Sequence, residues 1–241
     1  MIRALVFSAL AAVANLVGGV LVLMGAGRRN AALPVLTAFG AGFMLAVAVL
    51  EMMPHAVMVA GGLMAVLGGY LAVHLTQHVL TPHFHFGEEV HPEAMVSRGV
   101  GVWALIGLLP HSFFDGVAIA SGFLATAELG VLIFTAVLLH KVPTGISLAS
   151  VMLASGNSRR ETVVAVVVVG AATLLGAAVT PVVGVLAEYG LALAAGVTIY
   201  VAASNLIPEA QREPGWAVSG AVFLGVATFY VARLLLPEVG G

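Results

Sequence analysis

The chain has 241 residues, of which 61% are hydrophobic and only 8% charged, with a formal net charge of −2 and a mean hydropathy of +1.12. These values lie far outside the soluble globular range and describe an integral membrane protein. Cysteine is absent, which excludes disulfides and thiolate ligands, so a transition-metal site must use histidine, carboxylate, hydroxyl or water.

A spanning helix needs roughly 20 mainly apolar residues, and the sequence accommodates eight, at about 4–26, 32–54, 57–80, 99–124, 127–154, 160–187, 190–210 and 215–236. The expected fold class is all-α, with residues 1–241 forming a single transmembrane domain. Arg3 gives the first span the basic flank of a signal sequence. Its apolar stretch is long, however, and no small-residue cleavage site follows, so an uncleaved helix is expected. Arg28, Arg29, Arg98, Arg159, Arg160 and Arg212 fall in loops on one side of this arrangement, against Arg3 and Arg233 on the other. The positive-inside rule then places both termini outside the cytoplasm, in a cell membrane that would be the inner one in a bacterium.

The second span carries Glu51 and His55 near its end, and the third ends on His74 and His78. A polar linker at about 81–98 follows, with His83, His85, Glu88, Glu89, His91 and Glu93, and it faces the cytoplasm in this topology. Such a histidine-rich tract can bind metal, although its spacing is loose.

The fourth and fifth spans hold the sharpest signal. His111-Ser-Phe-Phe-Asp115-Gly116 and His140-Lys-Val-Pro-Thr144-Gly145 interrupt segments otherwise almost free of ionisable groups. Residues four apart share a helix face, so His111 stacks over Asp115 and His140 over Thr144. Ionisable groups in hydrocarbon are costly and mark pathways or sites. Pro110 and Pro143 remove backbone donors beside the motifs, and the carbonyls they free are tolerated where they line a cavity. Two imidazoles and a carboxylate, completed by water or the Thr144 hydroxyl, suit a borderline divalent ion such as zinc, with Ser112 as a further oxygen donor. Cadmium, iron, cobalt, nickel and manganese are alternatives that geometry alone discriminates poorly. Lys141 is the only lysine and Asp115 the only aspartate. A buried ammonium needs a partner, and Asp115 on the neighbouring helix is the expected one.

The seventh span repeats the second: Ala41-Gly42-x4-Val47-Ala48-x5-Pro54-x-Ala56 returns as Ala195-Gly196-x4-Val201-Ala202-x5-Pro208-x-Ala210, which aligns Glu51 and His55 with Asn205 and Glu209. These two spans cross the bilayer in opposite directions, the trace of an inverted repeat. A 3+2+3 arrangement follows, with helices 1–3 related to 6–8 and the motif helices between them. Glu51 and His55 would approach the outer mouth of a pathway, and Asn205 and Glu209 its cytoplasmic mouth.

Together, the eight spans, the histidine loop after the third, His111-x3-Asp115-Gly116, His140-x-x-Pro143-Thr144-Gly145, Leu50-Glu51-x-x-Pro54 and Leu206-Ile207-Pro208-Glu209 resemble the ZIP (Zrt/Irt-like) family of divalent metal transporters over essentially the whole chain. The resemblance implies movement of zinc and related ions into the cytoplasm between the fourth and fifth helices, by alternating access of one bundle against another. It also implies a homodimer, a lipid bilayer as environment, no nucleic-acid partner and no cofactor, the divalent ion being cargo. The family's fourth-helix motif usually reads His-Asn-x-Pro-Glu-Gly. Here Ser112, Phe114 and Asp115 stand at the Asn, Pro and Glu positions, Lys141 replaces a ligand in the fifth helix, and Thr144 replaces the usual Glu. Members with paired metals build a second site from those groups and a sixth-helix carboxylate, whereas the sixth helix here offers only Glu161 at its mouth. A single-metal site is therefore expected, with the Lys141 ammonium substituting for the charge of the second ion. Two competing readings are a membrane-embedded metal hydrolase, since two His and one Asp can activate water, and a retinal-type photoreceptor using Lys141. The first lacks an evident general base, and the second is disfavoured by low aromatic content; no enzymatic activity is expected.

Overall fold

A computed structural model describes residues 1–25, 32–80, 98–211 and 215–235, and every regular element among them is helical. In chain order these are α1 (Ile2–Leu23), α2 (Ala32–Val57), α3 (Gly62–Leu75), α4 (Arg98–Ala125), α5 (Ala127–Ala154), α6 (Arg159–Val179), α7 (Gly184–Gln211) and α8 (Trp216–Leu235). Among the described residues, all but α3 are long and apolar enough to cross a bilayer, seven helices in total. The protein is thus an all-α, multi-pass membrane protein.

Three expected boundaries are corrected. The third span was expected from about residue 57, but Gly61 turns the chain with φ +78, and α3 has only 14 α-helical residues before a five-residue π-helical continuation, Thr76–Leu80. The sixth span ends at Val179 rather than near 187, and α7 starts at Gly184 rather than near 190. Pro181 explains both shifts, since its ring and missing N–H cannot continue α6. By contrast, Pro110 and Pro143 lie inside α4 and α5 without ending them. A Cβ on Gly40 of α2 would stand 3.4 Å from the Leu139 carbonyl, the acceptor that Pro143 leaves without its usual donor.

Both members of the sequence repeat carry a π-helical segment at the matching place, Ala48–Met52 in α2 and Val201–Leu206 in α7. Such segments open the backbone ladder and often mark functional sites.

Packing divides the helices. The helices α1, α4, α5 and α6 pack as one group, α1 and α4 each touching both α5 and α6, while α2 pairs with α8 and α3 with α7. Contacts of α2 with α5, α4 with α7 and α2 with α7 join the groups. Apolar contact with lipid gives little drive for helix association, so close approach at small residues does much of the work. A Cβ on Gly116 of α4 would strike the Thr173 carbonyl of α6, and one on Gly145 of α5 would strike the Asn15 carbonyl of α1. Gly176 of α6 meets the Phe113 carbonyl of α4 just as Gly18 of α1 meets the Val142 carbonyl of α5. Gly42 of α2 lies against Val222 of α8, and Gly196 of α7 against Val66 of α3. Gly225 of α8 faces Phe39 of α2, and Gly69 of α3 faces Leu193 of α7.

These contacts are backbone to backbone and cannot relax by side-chain rotation. Gly176→Ala and Gly196→Ala should each destabilise the fold by about 1–3 kcal/mol, whereas Gly184→Ala, where a Cβ meets nothing within 4 Å, should not. Thermal unfolding in detergent followed by size-exclusion chromatography measures the difference.

Candidate metal centre

The two histidine motifs meet at the α4–α5 contact. Helical spacing sets His111 one turn before Asp115 on α4, and the glycine approaches at Gly116 and Gly145 hold the motif helices against α6 and α1. His111 Nε2 lies 3.5 Å and His140 Nε2 3.4 Å from the same Asp115 oxygen, Oδ2. Ligand atoms of His111, Asp115 and His140 all lie within 4.8 Å of one another, and all three residues are buried.

Electronic complementarity in this cluster favours a cation. His140 Nδ1 is 3.0 Å from the Ala136 carbonyl. A carbonyl only accepts, so in the neutral ring Nδ1 donates its proton and Nε2 presents a lone pair. That lone pair faces a carboxylate oxygen, two electron-rich atoms opposed in a buried place. A bridging cation converts the opposition into attraction, and the backbone bond at Nδ1 is the kind that orients a ligating imidazole. The Nδ1 of His111 is buried with no hydrogen-bond partner among the described residues. Thr144 Oγ1 donates to the His140 carbonyl at 2.8 Å, which leaves its lone pairs available.

Lys141 enters the same cluster. Its Nζ is 2.7 Å from Asp115 Oδ2 and donates to Ser112 Oγ at 3.1 Å, with the Lys141 side chain wholly buried. Asp115 Oδ2 thus faces two imidazoles and one ammonium.

The remaining expected site residues are dispersed. Glu51 is ion-paired with Arg233 of α8 at 2.6 Å, and His55 Nδ1 donates to the Glu51 carbonyl at 2.8 Å. Asn205 Nδ2 donates to Gln77 Oε1, in the π-helical continuation of α3, at 3.1 Å. His74 and His78 stack with ring centroids 4.2 Å apart, and the Tyr200 hydroxyl lies 3.3 Å from His78 Nδ1. His83, His85 and His91 lie outside the described residues. Glu209 lines a cavity of about 330 Å³ that reaches Thr144, with Thr37, Ser147 and Ser150 along its wall. Those three hydroxyls, and the partners Arg233 and Gln77, were not singled out from sequence. Thr144 and Ser147 stand three apart on α5, so that part of the wall was readable as a shared helix face. Glu161 closes a capping box with Ser158 at the start of α6, accepting from the Ser158 N–H at 2.6 Å, and lies 3.9 Å from Arg98.

Comparison with known proteins agrees with this arrangement. A family model described as ZIP Zinc transporter matches residues 76–233. The chain is 27% identical to zinc transporter ZupT of Enterobacter sp. (strain 638), covering 98% of each chain. It is 28% identical over 176 residues to zinc transporter ZIP9 of Xenopus tropicalis, covering 72% of this chain and 51% of that protein. With zinc transporter SLC39A7 of Pongo abelii it shares 33% identity, over 59% of this chain and 33% of the relative. The chain therefore spans about half the length of the frog relative and nearly all of the Enterobacter one. A family model that covers most of the chain, over the helices that hold the His–Asp–His cluster, means that this protein belongs to the ZIP zinc transporter family.

Proposed function

We propose that the protein carries a divalent transition-metal ion, zinc foremost, across the cell membrane toward the cytoplasm by alternating access. The single observation behind this reading is the buried His111–Asp115–His140 cluster, whose two imidazole Nε2 atoms converge on one carboxylate oxygen between α4 and α5. Its chemistry is that of a borderline divalent ion, and the relatives' names add zinc transport. The hydrolase and photoreceptor readings gain no support: the relatives are named as transporters, and Lys141 Nζ is engaged by Asp115 and Ser112.

The site holds one ion on this reading, ligated by His111, Asp115 and His140 with Thr144 or water completing the shell. Lys141 supplies the charge that a second ion would bring, and a dication beside it would meet repulsion that a low dielectric makes severe. Cargo leaves through the cavity lined by Thr144, Ser147 and Glu209. Glu51 and His55 stand at the opposite mouth, and Asn205 belongs to the Glu209 mouth.

The architecture we assign is eight spans in a 3+2+3 arrangement, α3 with its π-helical extension included. The matched glycine contacts favour it: exchanging α1 with α6, α2 with α7, α3 with α8 and α4 with α5 turns each contact into its counterpart. The Glu51–Arg233 and Asn205–Gln77 pairs exchange in the same way. Motion of the α1, α4, α5 and α6 group against the other four helices would expose the site alternately. Both termini lie outside the cytoplasm by the arginine distribution. The homodimer rests on the family resemblance, and His74, His78 and the 81–98 linker are assigned auxiliary metal binding.

Three measurements test this reading. His111→Ala, Asp115→Ala and His140→Ala should each lower zinc uptake into proteoliposomes by at least about tenfold, while anomalous scattering from zinc-soaked crystals shows a single ion in the native centre. Two well-occupied ions between α4 and α5 would refute the single-metal assignment. A cysteine placed at residue 241 of this cysteine-free chain should react with an impermeant maleimide in intact cells. Joint replacement of His83, His85 and His91 should leave substantial flux, measured in the same vesicles, because these groups lie outside the membrane site.

A further inference from the structure

The assigned site contains an internal cation, and that changes what the empty carrier must do. This inference rests on the transport reading above. After release, a carrier with a single acidic ligand must return with a carboxylate buried among helices, and an uncompensated charge there is strongly disfavoured. Asp115 meets this condition with a partner already in place: the Lys141 ammonium, 2.7 Å from Oδ2, on the adjacent motif helix and wholly buried. The Lys141 head has a second acceptor, the Ser112 hydroxyl at 3.1 Å. When a dication approaches from the two imidazoles and engages Asp115, repulsion displaces the ammonium toward Ser112, so the lysine remains hydrogen-bonded in both conditions.

We propose that Lys141 is a tethered counterion that takes the place of the cargo on Asp115 during the empty return step, with Ser112 as its resting acceptor while metal is bound. The charges balance step by step. The empty centre is neutral, with one carboxylate and one ammonium, and the loaded centre carries two positive charges. Hence all the charge moved in a cycle moves with the loaded carrier, and the return is electrically silent. A neutral residue at 141 would leave the return step with a bare carboxylate but would not hinder the loaded step, in which metal already compensates Asp115.

Net uptake and exchange separate these steps, because exchange of zinc between equal pools needs only the loaded carrier. In proteoliposomes, Lys141→Met and Lys141→Gln should keep radioactive zinc exchange within about threefold of the native protein and lose roughly tenfold or more of net uptake into zinc-free vesicles. These margins allow one order of magnitude for a step slowed by an unpaired buried charge. Asp115→Asn combined with Lys141→Gln removes both charges, and the ratio of net uptake to exchange should return to the native value even if affinity falls. Equal loss of both activities in folded single variants, or an unchanged ratio, would overturn the proposal. Should the single variants not fold, the native protein carries the test. At saturating outside zinc, where exchange outruns net uptake and the empty step sets the rate, uptake should not respond to an imposed potassium diffusion potential; a clear response would count against a silent return. Failure of the native protein to exchange or take up any divalent ion would instead overturn the transport reading itself.

Discussion

The ion pair between Asp115 and Lys141 is the constraint on which the rest of the centre depends. The chain contains one aspartate and one lysine, and the fold brings them within 2.7 Å in a region where neither is tolerated alone. Replacing one partner strands the other, which typically costs several kcal/mol, on the order of 3–5. Such a pair contributes little net stability compared with apolar packing, so a role in function accounts for it better than a role in stability. The two imidazoles then make sense as neutral donors that add affinity for a dication without adding fixed charge, which would overload a carboxylate already shared with an ammonium.

Close backbone contact makes this placement possible. Gly116 lets α4 settle on α6 at Thr173, and Gly145 lets α5 settle on α1 at Asn15, each immediately after the last polar residue of its motif. The backbone at 111, 115, 140 and 141 is therefore placed by direct main-chain contact, and only the long Lys141 side chain keeps freedom to shift between acceptors. Asn15 reinforces one of these joints by donating from Nδ2 to the Val166 carbonyl across α1 and α6 at 3.0 Å. Rigid neighbours around these side chains would let a whole helix group move as a unit with the site intact, as the proposed alternating access needs.

Much of this was legible in the sequence because hydrocarbon leaves so few alternatives. His111, Asp115, His140 and Lys141 stood isolated in apolar runs, and the Asp115–Lys141 pairing followed from a buried lysine's need for a partner and from Asp115's place on the neighbouring motif helix. The fifth helix lies where the apolar run placed it, at about 127–154, and Thr126 caps it by accepting from the Leu129 N–H. Apolar periodicity was silent where all faces are apolar. It could not show that Pro181 ends α6 while Pro143 is absorbed within α5, nor that α2 and α7 loosen into π-helical turns. The partners of Glu51 and Asn205 were hidden for a different reason: Arg233 and Gln77 lie far along the chain, and only the packing of α8 on α2 and α3 on α7 brings them together.

The paired contacts carry a final consequence. Positions that correspond under the proposed exchange of halves differ in charge: Asp115 corresponds to Thr144, Ser112 to Lys141, and the Glu51–Arg233 ion pair to the neutral Asn205–Gln77 pair. Glycine and small residues keep the two faces geometrically equivalent, which alternating access requires if each conformation is to be a near mirror of the other in packing. Polar substitutions make the faces chemically unequal. A bound dication moved through a full membrane potential gains ~4.6 kcal/mol per 100 mV, twice the value for one charge. The carrier's own fixed charge crosses and returns within each cycle, so it leaves that total unchanged and decides only which step responds to the potential. Under the proposed counterion role, a charge-neutral empty centre, built from one acid on one motif and one base on the other, places the whole of that response in the loaded step and leaves the return silent.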